Sequence, residues 1–98
     1  MSPRLTDAEL NAETAKIPAW NVREGKLHRE YAFADFTLAF GFMAAAATVI
    51  QGMNHHPEWS NVYGKVVVDL VTHDAGGITM SDVKLATKLE AIAAKLLG

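Results

Sequence analysis

The stretch Trp59-Ser-Asn-Val-Tyr-Gly-Lys-Val-Val-Val-Asp-Leu-Val-Thr-His73 holds two runs rich in β-branched and aromatic residues on either side of one glycine. Such residues favour extended backbone and the glycine supplies a turn, so WSNVY and KVVVDLVTH read as a hairpin turning at Gly64. The strand period of two puts Val66, Val68, Leu70 and Thr72 on one face and Val67, Asp69, Val71 and His73 on the other. The first face is apolar and belongs against a core. His73 points away from it.

Upstream lies the uncharged run Phe36 to Met53, FTLAFGFMAAAATVIQGM, with Asp35 placed to cap it as a helix. Phe36, Phe40, Met43, Ala47 and Ile50 repeat at three and four, and Leu38, Phe42, Ala45 and Val49 form a second stripe. A third line, Thr37, Gly41, Ala44, Thr48 and Gly52, is made of small residues. A helix apolar or small on every side needs cover on more than one face, which predicts self-association through this helix. The run approaches the length of a membrane span, but Thr37, Thr48, Gln51 and its glycines dilute its apolarity. Its flanks lack the Lys/Arg bias and aromatic belt of a membrane boundary, so a buried helix is expected instead.

Further towards the N-terminus, Thr6-Asp-Ala-Glu9 has the pattern of a capping box opening a helix from about Asp7 to Lys16, and Pro18 ends it. Trp20 to Glu24 and Leu27 to Phe33 read as a hairpin around Gly25-Lys26, with Leu27, Arg29, Tyr31 and Phe33 on one face and His28, Glu30 and Ala32 on the other. After the second hairpin, Asp74-Ala-Gly-Gly-Ile-Thr is a loop and Ser81 is placed to cap a last helix through Leu97. The order α-β-β-α-β-β-α predicts an α+β fold: one four-stranded antiparallel sheet with three helices packed on one face.

At 98 residues, 1 to 98 read as a single domain. Nine basic against eleven acidic residues give a formal charge of −2 with no basic cluster, which argues against direct nucleic-acid binding. The absence of cysteine excludes disulfides, thiolate catalysis and cysteine-ligated zinc. MSPRLTDAEL carries acids where a signal peptide needs an apolar core, and the cytoplasm is expected.

Between the long helix and the second hairpin stands Met53-Asn-His-His-Pro-Glu-Trp59. His55, His56 and His73 thus lie in or near one hairpin, and imidazoles both give and take protons near neutrality, so the three suit acid–base chemistry. Three histidines also suit zinc, but adjacent side chains diverge in extended chain and no HExxH places two on one helical face, so no metal is expected. No Gly-x-Ser-x-Gly stretch and no phosphate-binding glycine loop is present. Pro57 holds the chain extended after His56, and Trp59 offers a flat surface for a planar heterocycle.

His55-His56-Pro57-Glu58-Trp59, Asn61-Val62-Tyr63, Thr72-His73 and Ser81-Asp82-Val83-Lys84-Leu85-Ala86 together resemble the pterin-4a-carbinolamine dehydratases, a family that includes the dimerisation cofactor of a homeodomain transcription factor. Trp20-Asn21, Glu24-Gly25, Phe36 and Ala39 to Met43 extend the resemblance over nearly the whole chain. It implies a hydro-lyase that removes water from 4a-hydroxytetrahydrobiopterin to give the quinonoid dihydropterin, in pterin recycling after aromatic amino-acid hydroxylation, with no cofactor or metal. By that similarity His55, His56 and His73 are catalytic: His56 and His73 transfer protons and His55 binds and orients the ring. Asp82 holds a histidine and Trp59 borders the pterin. Members of the family often carry acids where this chain has Gln51 and Asn54; these amides can hydrogen-bond a pterin but cannot ionise. The resemblance also implies a homo-oligomer, dimer or tetramer, built through the sheets and the long helix. The competing expectation is a non-catalytic protein-binding or assembly module on the same scaffold.

Overall fold

The structure is a computed structural model and describes residues 3–97. Its elements are α1 (Asp7–Thr14), β1 (Asn21–Arg23), β2 (Lys26–Ala32), α2 (Phe36–Met53), β3 (Glu58–Val62), β4 (Lys65–Leu70) and α3 (Met80–Leu96), with a single 3-10 turn at His73–Ala75. The order is the expected one. The four strands form one antiparallel sheet in the spatial order β1-β2-β4-β3.

Cross-strand partners share a face, and the register sets Leu27 opposite Leu70, Tyr31 opposite Val66 and Trp59 opposite Val68. Leu27, Tyr31, Val66, Val68 and Leu70 are buried and meet Phe42, Ala46 and Ile50 of α2 and Leu85, Ala86 and Leu89 of α3. α1 has the expected capping box, with Thr6 and Glu9 bonded to each other's backbone, but buries no residue fully; Leu10 packs against the edge of the core. A charged pair enters the helix side of the sheet. Glu90 accepts from Trp20 Nε1 at 2.9 Å, Tyr31 Oη at 2.7 Å and Arg29 Nε at 3.3 Å, while the Arg29 guanidinium stacks 4.2 Å above the Tyr31 ring. Burial first, then the Glu90 carboxylate, pushes the Tyr31 hydroxyl far above its ordinary range, so it stays protonated and donates to Glu90.

Several boundaries differ from the sequence reading, each for a local reason. The first hairpin turns at Glu24-Gly25, one residue earlier than expected, because both residues adopt positive φ (52° and 77°), as a tight two-residue turn requires. The second turns at Tyr63-Gly64, where a Cβ on Gly64 would stand 2.5 Å from the Phe33 carbonyl oxygen, so only glycine admits the bond from Phe33 N–H to Gly64 O. α3 starts at Met80, capped by Thr79 instead of Ser81, because Thr79 and Asp82 form a capping box. β4 stops at Leu70, and His73 lies on the 3-10 turn, where Thr72 and Gly77 bridge and Gly76 (φ 74°) closes the loop.

α2 follows its expected limits, with the Asp35 side chain accepting from Leu38 N–H and Asn54 in the left-handed region at its C-terminus. Its buried stripe is Ala39, Phe42, Ala46 and Ile50, whereas Phe36 and Phe40 are 53% and 56% exposed with their rings 5.7 Å apart. By length and mean hydropathy (1.6) α2 could cross a membrane; here one of its faces packs into the core and the other is an uncharged outer surface.

Candidate active site

The last turn of α2 sets up the histidine pair. Asn54 adopts φ 51° and ψ 42°, and the His55 N–H returns to the Ile50 carbonyl at 3.3 Å, so the chain leaves the helix axis sharply. Pro57 then carries it into β3. His55 turns inward, its side chain 16% exposed, and its Nε2 lies 2.5 Å from Oδ1 of the fully buried Asp82.

Asp82 occupies the first turn of α3 and serves two structures at once. Its Oδ2 accepts from Thr79 N–H at 2.9 Å, which closes the capping box, and from Thr72 Oγ1 at 2.8 Å. The Thr79 hydroxyl lies 2.8 Å from Thr72 Oγ1 and passes its own proton along the same chain. A carboxylate taken out of water requires such donors, and among the described residues no buried side-chain polar atom lacks a partner. With Asp82 acting only as acceptor, His55 carries its proton on Nε2, which leaves Nδ1 as the ring's acceptor.

His73 has a similar arrangement at the surface. Its side chain is 74% exposed, and its Nε2 lies 3.2 Å from Oε2 of Glu58, whose Oε1 receives Lys26 Nζ at 2.5 Å. Lys26 first, then His73, holds the Glu58 carboxyl below its usual range, and Glu58 raises the Lys26 ammonium in return. His56 is exposed and has no hydrogen-bond or ionic partner among the described residues.

The three histidines line one cleft of about 260 Å³ together with Asn54, Val71, Thr72 and Asp74. Asp82 stands behind His55, outside that lining. Gln51 is exposed on the last turn of α2 and Pro57 is half-buried; Trp59, expected to border the pterin, instead lies outside the cleft lining, half-buried and packed against the core on the helix side of the sheet, because it shares the face of its strand partner Val68. Among the described residues, no three His, Asp or Glu gather as a metal ion would need.

The sequence reading passed over the fourth histidine. His28 lies on the open face of the sheet, 7% exposed, with Nδ1 2.7 Å from Asp69 Oδ1 and Nε2 2.8 Å from Glu30 Oε2. Glu30 first, then Asp69, raises the His28 pKa above 6.5, and the imidazole, ahead of Lys65, lowers that of Glu30 below 4.5. The signs are opposite. The His28 contribution to stability is complete below its unfolded value and disappears as pH rises through the raised folded one; the Glu30 contribution is complete above its unfolded value and disappears as pH falls through the lowered one. The expected result is that the gap in urea midpoint between the wild type and a His28→Asn variant is widest at mildly acidic pH and narrows on the alkaline side.

A sequence family described as Pterin 4 alpha carbinolamine dehydratase matches residues 3–92. Two bacterial relatives, both named "Putative pterin-4-alpha-carbinolamine dehydratase", are similar over nearly their full lengths. The protein from Solibacter usitatus is 55% identical, covering 96% of this chain and 99% of its own. The one from Rhodopseudomonas palustris is 48% identical, covering 98% and 97%. A solved structure from Brucella melitensis, described as a transcriptional coactivator/pterin dehydratase, superposes with a TM-score of 0.88 at 43% identity, over 92% of this chain and 98% of that one.

Proposed function

The chain belongs to the pterin 4 alpha carbinolamine dehydratase family, and from that premise we propose that it dehydrates 4a-hydroxytetrahydrobiopterin to the quinonoid dihydropterin by histidine acid–base catalysis. The observation that carries this reading is the meeting of His55, His56 and His73, from two separate segments, in one open cleft. In the reaction the C4a–O bond breaks, the hydroxyl takes up a proton and leaves as water, and a ring N–H of the pterin gives up a proton as the new double bond forms. One group must donate and another accept, which imidazoles near neutrality can do.

His55, held by Asp82, binds and orients the pterin ring. His56 and His73 exchange the protons. Asn54 and Gln51 offer neutral hydrogen-bonding groups at the end of α2, and Pro57 fixes the path of the chain beyond the pair. The chemistry calls for no metal and no cofactor. A cytoplasmic protein working beside an aromatic amino-acid hydroxylase, which would generate the 4a-hydroxypterin, is the setting that fits. Generating that compound with a hydroxylase and following its dehydration with and without this protein tests the proposal. Clear acceleration at micromolar protein is expected, and a rate equal to the uncatalysed one refutes it.

A second reading, an assembly surface, is favoured by the outer face of α2. Phe36, Phe40, Gly41, Ala44 and Thr48 are exposed there on a helix without a single charge. The similar Brucella melitensis chain is described as a coactivator as well as a dehydratase. We take this face as the contact between copies of the chain in a homo-oligomer. Sedimentation at micromolar concentration should give a dimer or tetramer, and Phe40→Glu should shift it towards smaller species; a monomeric wild type would refute the contact.

A further inference from the structure

We propose that Glu58, backed by Lys26, is a positioning residue for His73, holding the imidazole with its proton on Nε2 so that Nδ1 is the atom left to exchange protons with the pterin. The inference rests on the dehydration reading above and adds residues that stand outside the lining of the cleft. His73 sits on one 3-10 turn with its side chain 74% exposed, and Glu58 is the one hydrogen-bond or ionic partner of that side chain among the described residues. Without it the ring would rotate freely and share its proton between two nitrogens. A carboxylate only accepts, so the nitrogen facing it must donate, and the tautomer follows from the contact at 3.2 Å.

The carboxylate is itself held from behind. Glu58 belongs to β3 and Lys26 to β2, with β4 between them, so the lysine reaches across a strand to Glu58 Oε1 while Oε2 faces His73. The register adds a second observation. Glu58 lies directly opposite Asp69 on β4, and like charges in that relation destabilise a sheet. Each acid of the pair has its own hydrogen-bonding partner: Lys26 for Glu58 and His28 for Asp69. With Asp69 engaged by His28, Glu58 remains free to serve His73.

Two measurements test this together: imidazole 15N spectra of the free protein, which report the tautomer of each histidine without any turnover, and steady-state dehydration kinetics. The wild type should show His73 as the Nε2–H tautomer. Glu58→Ala should give a mixture of tautomers and a kcat lowered about threefold to fivefold, the scale of an exposed ion pair, with KM changed less than twofold. Glu58→Gln, whose amide oxygen still accepts from Nε2–H, should restore most of the tautomer order and part of the rate. An active wild type whose Glu58→Ala variant keeps both tautomer and kcat, or changes KM alone, overturns this inference and leaves the dehydration reading intact. An inactive wild type overturns that reading, and the positioning role of Glu58 with it.

Discussion

Replacing Asp82 with alanine is expected to destabilise the fold by about 3–5 kcal/mol and to abolish most of the dehydratase activity. The stability loss follows from what the carboxylate holds: Thr79 N–H, Thr72 Oγ1 and His55 Nε2 all converge on it, and it is fully buried. Removing the acceptor leaves those donors facing a cavity and unties the first turn of α3. Urea denaturation at neutral pH measures the loss. Asp82→Asn separates the two roles. Its amide oxygen can still accept from Thr79 and Thr72, so stability should fall by only about 1–2 kcal/mol. Its NH₂ then faces His55 Nε2, which must become an acceptor and move the ring proton to Nδ1. A well-folded Asp82→Asn protein should therefore turn over about a hundredfold more slowly, the scale of a misplaced orienting group. An activity within threefold of wild type would mean that the tautomer of His55 does not matter.

The same residue shows what a sequence can and cannot disclose. Thr79-x-x-Asp82 carries a capping-box pattern on its face, but Ser81 offers an equally ordinary cap two residues on, and only the loop closure from Thr72 to Gly77 decides between them. α2 was legible because Asp35 begins it and no charge or proline interrupts the run from Phe36 to Met53. Its inner face was not legible. When every side of a helix is apolar, periodicity cannot select one, and packing chose the stripe holding Ala39 and Ala46 while leaving Phe36 and Phe40 outside. The histidine cluster was visible as chemistry, since His55, His56 and His73 have no evident use in a core. Its supports were not, because Glu58–His73 and His55–Asp82 depend on strand register and on where α3 begins. His28 was hidden for a related reason. Period two set it on the outer face, and only the pairing of β2 with β4 puts Asp69 beside it.

Truncating His56 or His73 to alanine should lower kcat by about a hundredfold or more, the usual worth of a general acid or base, and leave the fold almost untouched. Both side chains are exposed, His56 has no protein partner among the described residues, and His73 has one surface contact with Glu58. Surface substitutions of this kind usually shift stability by less than about 0.5 kcal/mol, so lost activity would report chemistry and not unfolding. The double variant adds a sharper discrimination. If one imidazole protonates the departing hydroxyl while the other takes the ring proton, both act in one transition state, and removing the second should cost much less than removing the first. Single losses that multiply in full would instead assign the two histidines to separate steps. Circular dichroism and urea midpoints matching the wild type within error would complete the case that the cleft, and not the scaffold, was altered.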